Sequence, residues 1–78
     1  MSFMEAYALT SARSQLIMRY KTRNGERLEV FLSGQTLLTI FNLDKKSIST
    51  YNRRIDPDGF DKTLTAFLLA NSMTRKDT

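Results

Sequence analysis

Leu16-Ile17-Met18-Arg19-Tyr20-Lys21-Thr22-Arg23-Asn24-Gly25-Glu26-Arg27-Leu28-Glu29-Val30-Phe31-Leu32-Ser33 is the stretch that decides the fold. Before the Arg23-Asn24-Gly25 break, Leu16, Met18 and Tyr20 alternate with Ile17, Arg19 and Lys21. After it, Leu28, Val30 and Leu32 alternate with Arg27, Glu29, Phe31 and Ser33. That period of two belongs to half-buried strands, and the pair forms a hairpin. A two-residue Asn24-Gly25 loop would set Arg19 against Val30 and Lys21 against Leu28, mixing charge with core, because a one-residue slip exchanges the faces. A three-residue Arg23-Asn24-Gly25 loop, with Gly25 left-handed in a bulged turn, pairs Tyr20 with Leu28, Met18 with Val30 and Leu16 with Leu32. On the other face it sets Arg19 opposite Glu29.

The same parity carries forward. A turn at Ser33-Gly34-Gln35 predicts Val30 facing Leu38 and Leu28 facing Ile40. A further turn at Leu43-Asp44-Lys45 predicts Ile40 facing Ile48 and Leu38 facing Thr50. The outcome is a four-stranded antiparallel meander.

Helices flank it. Ser2 and Glu5 have capping-box spacing, and Phe3, Met4, Tyr7, Ala8 and Ala12 form an apolar stripe running to about Ser14. Asp56-Pro57-Asp58-Gly59 ends the sheet, since proline cannot donate to a ladder and Asp and Gly favour turns. Beyond it Phe60, Leu64, Phe67, Leu68 and Asn71 recur at helical spacing, with Arg75 and Lys76 suited to a helix C-terminus. The predicted order is α-β-β-β-β-α, an α+β domain spanning residues 1–78, with the C-terminal helix on the even-numbered sheet face and a frayed tail over 74–78.

Composition removes most chemistry. The chain has 78 residues, no Cys and no His, so it lacks disulfides, thiolate sites, the commonest metal ligand and the usual general base near neutral pH. No phosphate-binding glycine loop is present, and the Ser and Thr residues have no His to activate them. Asp56, Asp58 and Asp61 lack the closing Glu of a calcium loop and suit a helix N-terminus instead. We expect no catalytic residue, cofactor, metal or small-molecule substrate. The Cys-free composition, an N-terminus with an early acid and no basic leader, and the absence of an apolar run of about 18 residues lead to the expectation of a cytoplasmic protein outside the membrane.

Two features bear on function. The derived register lines up Ile17, Phe31, Leu37 and Tyr51 on the odd-numbered face, extended by Phe41. A sheet with one face under a helix normally shows water a polar second face, so this row needs a cover. The cover is either the N-terminal helix, through Phe3, Met4 and Tyr7, or another molecule, and the second option makes Ile17, Phe31, Leu37, Phe41 and Tyr51 a protein interface. The second feature is charge. The net charge is +4, concentrated between Arg13 and Arg27 (Arg13, Arg19, Lys21, Arg23 and Arg27 against Glu26), with a second group at Lys45, Lys46, Arg53 and Arg54. Cations beside aromatics on an open sheet are what single-stranded nucleic acid binders use, which makes Arg19, Lys21, Arg23, Arg27, Arg53 and Arg54 the alternative site, although no RNP-type signature accompanies them.

The residues thus point to a non-enzymatic binding module acting by protein–protein contact, as a homodimer or on a cellular or host protein, with nucleic-acid binding as the alternative. Short basic chains without catalytic motifs are frequent among phage- and plasmid-borne accessory proteins, and that sets the same expectation.

Overall fold

A computed structural model describes the backbone of residues 2–76 and the side chains of residues 2–70. The chain runs α1 (Phe3–Arg13), β1 (Gln15–Lys21), β2 (Arg27–Ser33), β3 (Leu37–Asn42), β4 (Ser47–Asn52) and α2 (Pro57–Lys76). The strands form one antiparallel meander in the order β1-β2-β3-β4. It is the α+β architecture expected from the alternation. Residues 77 and 78, the end of the expected tail, lie outside the described residues.

The first turn follows the derived register. Gly25 has φ 84°, its amide donates to the Thr22 carbonyl at 2.9 Å, and Tyr20, Arg19 and Met18 lie opposite Leu28, Glu29 and Val30. Beyond Met18 the pairing departs from expectation, because β1 bulges between Leu16 and Met18. Leu16 consequently faces Phe31, and Ile17 joins Met18 in packing toward the opposite, even-numbered face. Three consecutive apolar residues cannot all serve one face of a regular strand, and the bulge shares them between two.

The later turns also differ. The β2–β3 turn is Ser33–Thr36, with Gly34 and Gln35 both left-handed (φ 57° and 60°), so the register slides by two. Val30 meets Ile40, Leu32 meets Leu38, and Phe31 meets Thr39 in place of Leu37. Faces survive a slide of two. The β3–β4 turn is one residue longer than expected, since Asn42 Oδ1 accepts from the amides of Asp44 and Lys45 and Lys46 closes the loop at φ 55°. One extra residue exchanges the faces of β4. Tyr51 therefore sits opposite Leu38 and Ile48 opposite Phe41.

The core lies between the even-numbered face and α2, where Met18, Val30, Leu38 and Phe60 are buried and Ile17, Tyr20, Leu32, Ile40, Tyr51, Leu64 and Phe67 pack around them. The helix begins earlier than the Asp-Pro-Asp-Gly turn predicts. Asp56 caps it by accepting from the Gly59 amide at 3.0 Å, and Pro57 occupies the first helical position, where its missing N–H costs nothing. Side chains from Asn71 onward, including Arg75 and Lys76, lie outside the described residues.

Candidate protein-binding site

α1 covers the odd-numbered face. Its capping box forms as the Ser2 and Glu5 spacing predicts, with Glu5 N donating to Ser2 Oγ and Ser2 N to Glu5 Oε1. Phe3 and Tyr7 then reach down onto the sheet. Phe3 meets Phe41 edge-on at 5.7 Å between centroids, and Tyr7 meets Phe41 at 5.2 Å and Phe31 at 6.0 Å, all near-perpendicular contacts of the favourable kind. Beside them the Tyr7 hydroxyl donates to Glu29 Oε1 at 2.5 Å, and Arg19 Nε donates to Glu29 Oε2 at 3.2 Å. Glu29 is only 7% exposed and is satisfied on both carboxylate oxygens. Giving up that hydrogen bond disfavours ionisation, which with burial holds the Tyr7 phenol above its ordinary range.

The expected interface is accordingly split. Ile17 and Tyr51 face α2, by the bulge and by the longer β3–β4 turn. Phe31 and Phe41 remain on the odd-numbered face but are buried under α1, and Leu37 stands half-buried at its margin near Leu9 and Thr10. No open row crosses the four strands. The nucleic-acid set fares similarly: Arg19 is on Glu29, Arg27 clasps Asp44, and Arg53 lies over the Phe60 ring at 4.7 Å and pairs with Asp61, on the α2 side. Phe31 and Phe41, on which bases would stack, are enclosed. Lys21, Arg23 and Arg54 have no ion pair within 4 Å among the described residues.

With the middle of both faces covered, the sheet's edges come forward, and they differ. Thr22 N donates to the Glu26 carbonyl, so alternation turns the backbone groups of Tyr20 and Met18 toward β2 and those of Arg19 and Lys21 outward. Charged side chains and the bulge blunt that β1 edge in the way natural sheets prevent stray pairing. At the other edge, Arg53 N donates to the Thr36 carbonyl, so the groups of Ser47, Ser49 and Tyr51 face β3 while those of Ile48 and Thr50 face outward. No group of the described chain bonds them. β4 is regular in register, and Ser47-Ile48-Ser49-Thr50-Tyr51-Asn52 carries no charge, proline or bulge. Its residues from Ser47 to Thr50 are exposed on both sides, with Ile48 at 41%.

Cations bracket this edge. Lys45 and Lys46 precede it, and Arg53 and Arg54 follow it. Lys45 pairs with Glu26 at 3.3 Å and Arg53 with Asp61 at 3.6 Å, whereas Lys46 and Arg54 have no acidic partner among the described residues. The sequence signal for the edge was the uncharged six-residue run between two cationic pairs, which the alternation argument passed over. Other exposed apolar groups are Met4 and Leu9 on α1, so that Met4 does not join Phe3 and Tyr7 in covering the sheet, Leu68 and Leu69 on the outer side of α2, and Ile55 in the loop before it. Set against family models, curated proteins and solved structures, the chain finds no match. Among the described residues no helix is long and apolar enough to cross a membrane.

Proposed function

We propose that the protein is a non-enzymatic binding module that acts by protein–protein contact, and that the contact is made by the open edge of β4 and not by a sheet face. The observation that carries this reading is the contrast between the edges of one sheet: β1 is bulged and charged, while β4 offers a regular, uncharged ladder with unbonded groups on Ile48 and Thr50. An extended segment that adds a strand there gains main-chain hydrogen bonds, and Ile48 supplies an apolar side chain beside it. The chain's lack of His and Cys supports a role without catalysis, and its lack of Cys suits the cytoplasm.

Thr50→Pro tests it. The Thr50 N–H points away from β3, so proline there removes an outward donor without breaking the internal ladder, a strand context in which proline is tolerated. Extended peptides selected from a displayed random library against the wild type should lose at least ten-fold in affinity for Thr50→Pro, whose thermal melt should remain cooperative. Peptides that bind both proteins alike, or whose binding is lost instead on changing Leu68 and Leu69 to Ser, would overturn the edge as the docking site.

A further inference from the structure

We infer that the occupant of the β4 edge is a strand of another protein with an uncharged core and acidic residues at both ends, and that pairing with a second copy of this chain is disfavoured. The inference rests on the edge reading above and adds the partner's chemistry. Only residues whose backbone groups face outward can form hydrogen-bonded pairs across a new ladder, which restricts the register. Two copies paired antiparallel about Thr50 would set Lys46 of each beside Arg54 of the other. Slid one step, to centre on Ser49, they would set Lys45 beside Arg53 instead. A parallel pairing sets each outward-facing residue opposite an inward-facing one, so two identical edges cannot meet in register with two-fold symmetry. Both antiparallel registers that keep five residues of β4 paired thus place cation on cation at the ends of the ladder, where like charges directly opposite destabilise a strand pair, and registers centred on Ile48 or Tyr51, which avoid this, pair only three residues of β4.

The same bracket favours an acid-flanked strand. Lys46 and Arg54 are the cations at its two ends that no carboxylate of the described chain satisfies, so a partner's acids meet unspent charge at both. In this reading the flanking cations keep the edge from pairing with itself while admitting a strand of opposite charge, attraction and exclusion being supplied by the same side chains.

The experiment uses the full chain and synthetic peptides whose core alternates threonine and valine over the length of β4, flanked at each end by two glutamates, two serines or two lysines. A fourth peptide keeps the glutamates but carries prolines through its core. The glutamate peptide should bind at least ten-fold more tightly than the lysine peptide at low salt, and should slow amide hydrogen exchange at Ile48 and Thr50. Lys46→Glu combined with Arg54→Glu should invert the order. If all three strand-forming peptides protect Ile48 and Thr50 equally, the edge docks strands but the acidic partner is refuted. If none protects those amides, the edge reading falls as well. If the proline-broken peptide binds as well as its intact counterpart, the attraction is generic and the inference is overturned.

Discussion

Gly25 and Gln35 occupy two bends of the same meander with opposite fits of residue to backbone. At Gly25, φ is 84° and a Cβ would find its nearest neighbour, Lys21 Cε, only at 4.0 Å, so a side chain has room and any cost comes from the backbone alone. Gly25→Val should therefore lower stability by at least about 1 kcal/mol, because a β-branched residue is strained in the left-handed region. Gln35 holds φ 60° without being glycine. Gln35→Gly should raise stability by up to about 1 kcal/mol, the relief of left-handed strain outweighing the added freedom of the unfolded chain. Urea melts of the two variants decide the matter, and a Gly25→Val protein that melts like the wild type would refute the bulged turn. The first bend was legible because only one loop length keeps Met18 and Tyr20 in phase with Leu28 and Val30. The second was not, since nothing in a glutamine marks a left-handed backbone.

Elements were more legible than the registers joining them. All four strands and both helices follow from alternation, helical spacing and caps, whereas the faces of β4 depended on whether Asn42 spends its side chain on the turn, a choice made by two hydrogen bonds and not by pattern. That single residue moved Tyr51 from one face to the other, and with the bulge that turned Ile17 it dissolved the expected row. α1 was legible as a helix, but its role as the cover of the odd-numbered face rested on Tyr7 finding Glu29, a pairing 22 residues apart that no local signal specifies. The helix has no fully buried residue of its own, so Phe3, Tyr7 and the bond to Glu29 hold it down. Tyr7→Phe should cost about 1.5 to 3 kcal/mol at neutral pH, the range for a hydrogen bond to a charged acceptor. Its pH dependence has a defined sign. The Tyr7 pKa is raised on folding, so the bond's contribution is complete below the unfolded value of about 10 and is lost as pH rises through the folded one. Urea unfolding of wild type and Tyr7→Phe at pH 7 and pH 11 should show a gap that narrows at the higher pH. A gap of constant size would mean that the hydroxyl does not act through Glu29.

At the scale of the whole molecule, a helix packs on each face of the sheet, and its margins are where strand backbone stays open. An unblunted strand edge exposes such a domain to self-pairing, and here the flanking cations are what oppose it. Lys46→Glu converts one end of the bracket into an acid. In the two-fold pairing about Thr50, each new carboxylate would lie beside Arg54 of the other copy, replacing two repulsions by two attractions, each worth roughly 0.2 to 1 kcal/mol. The position already holds a non-glycine residue at φ 55°, and Lys46 has no acidic partner among the described residues, so the change falls on the edge and not on the fold. Sedimentation equilibrium at high concentration should find the wild type monomeric and Lys46→Glu associating. The two proteins should also respond to salt in opposite directions. At about 1 M ionic strength, where the screening length falls to roughly 3 Å, the variant should dissociate while the wild type is released from its repulsion and begins to associate. A variant that stays as monomeric as the wild type at every ionic strength would show that charge is not what keeps the β4 edge free, and the assignment of Lys46 and Arg54 to partner choice would go with it.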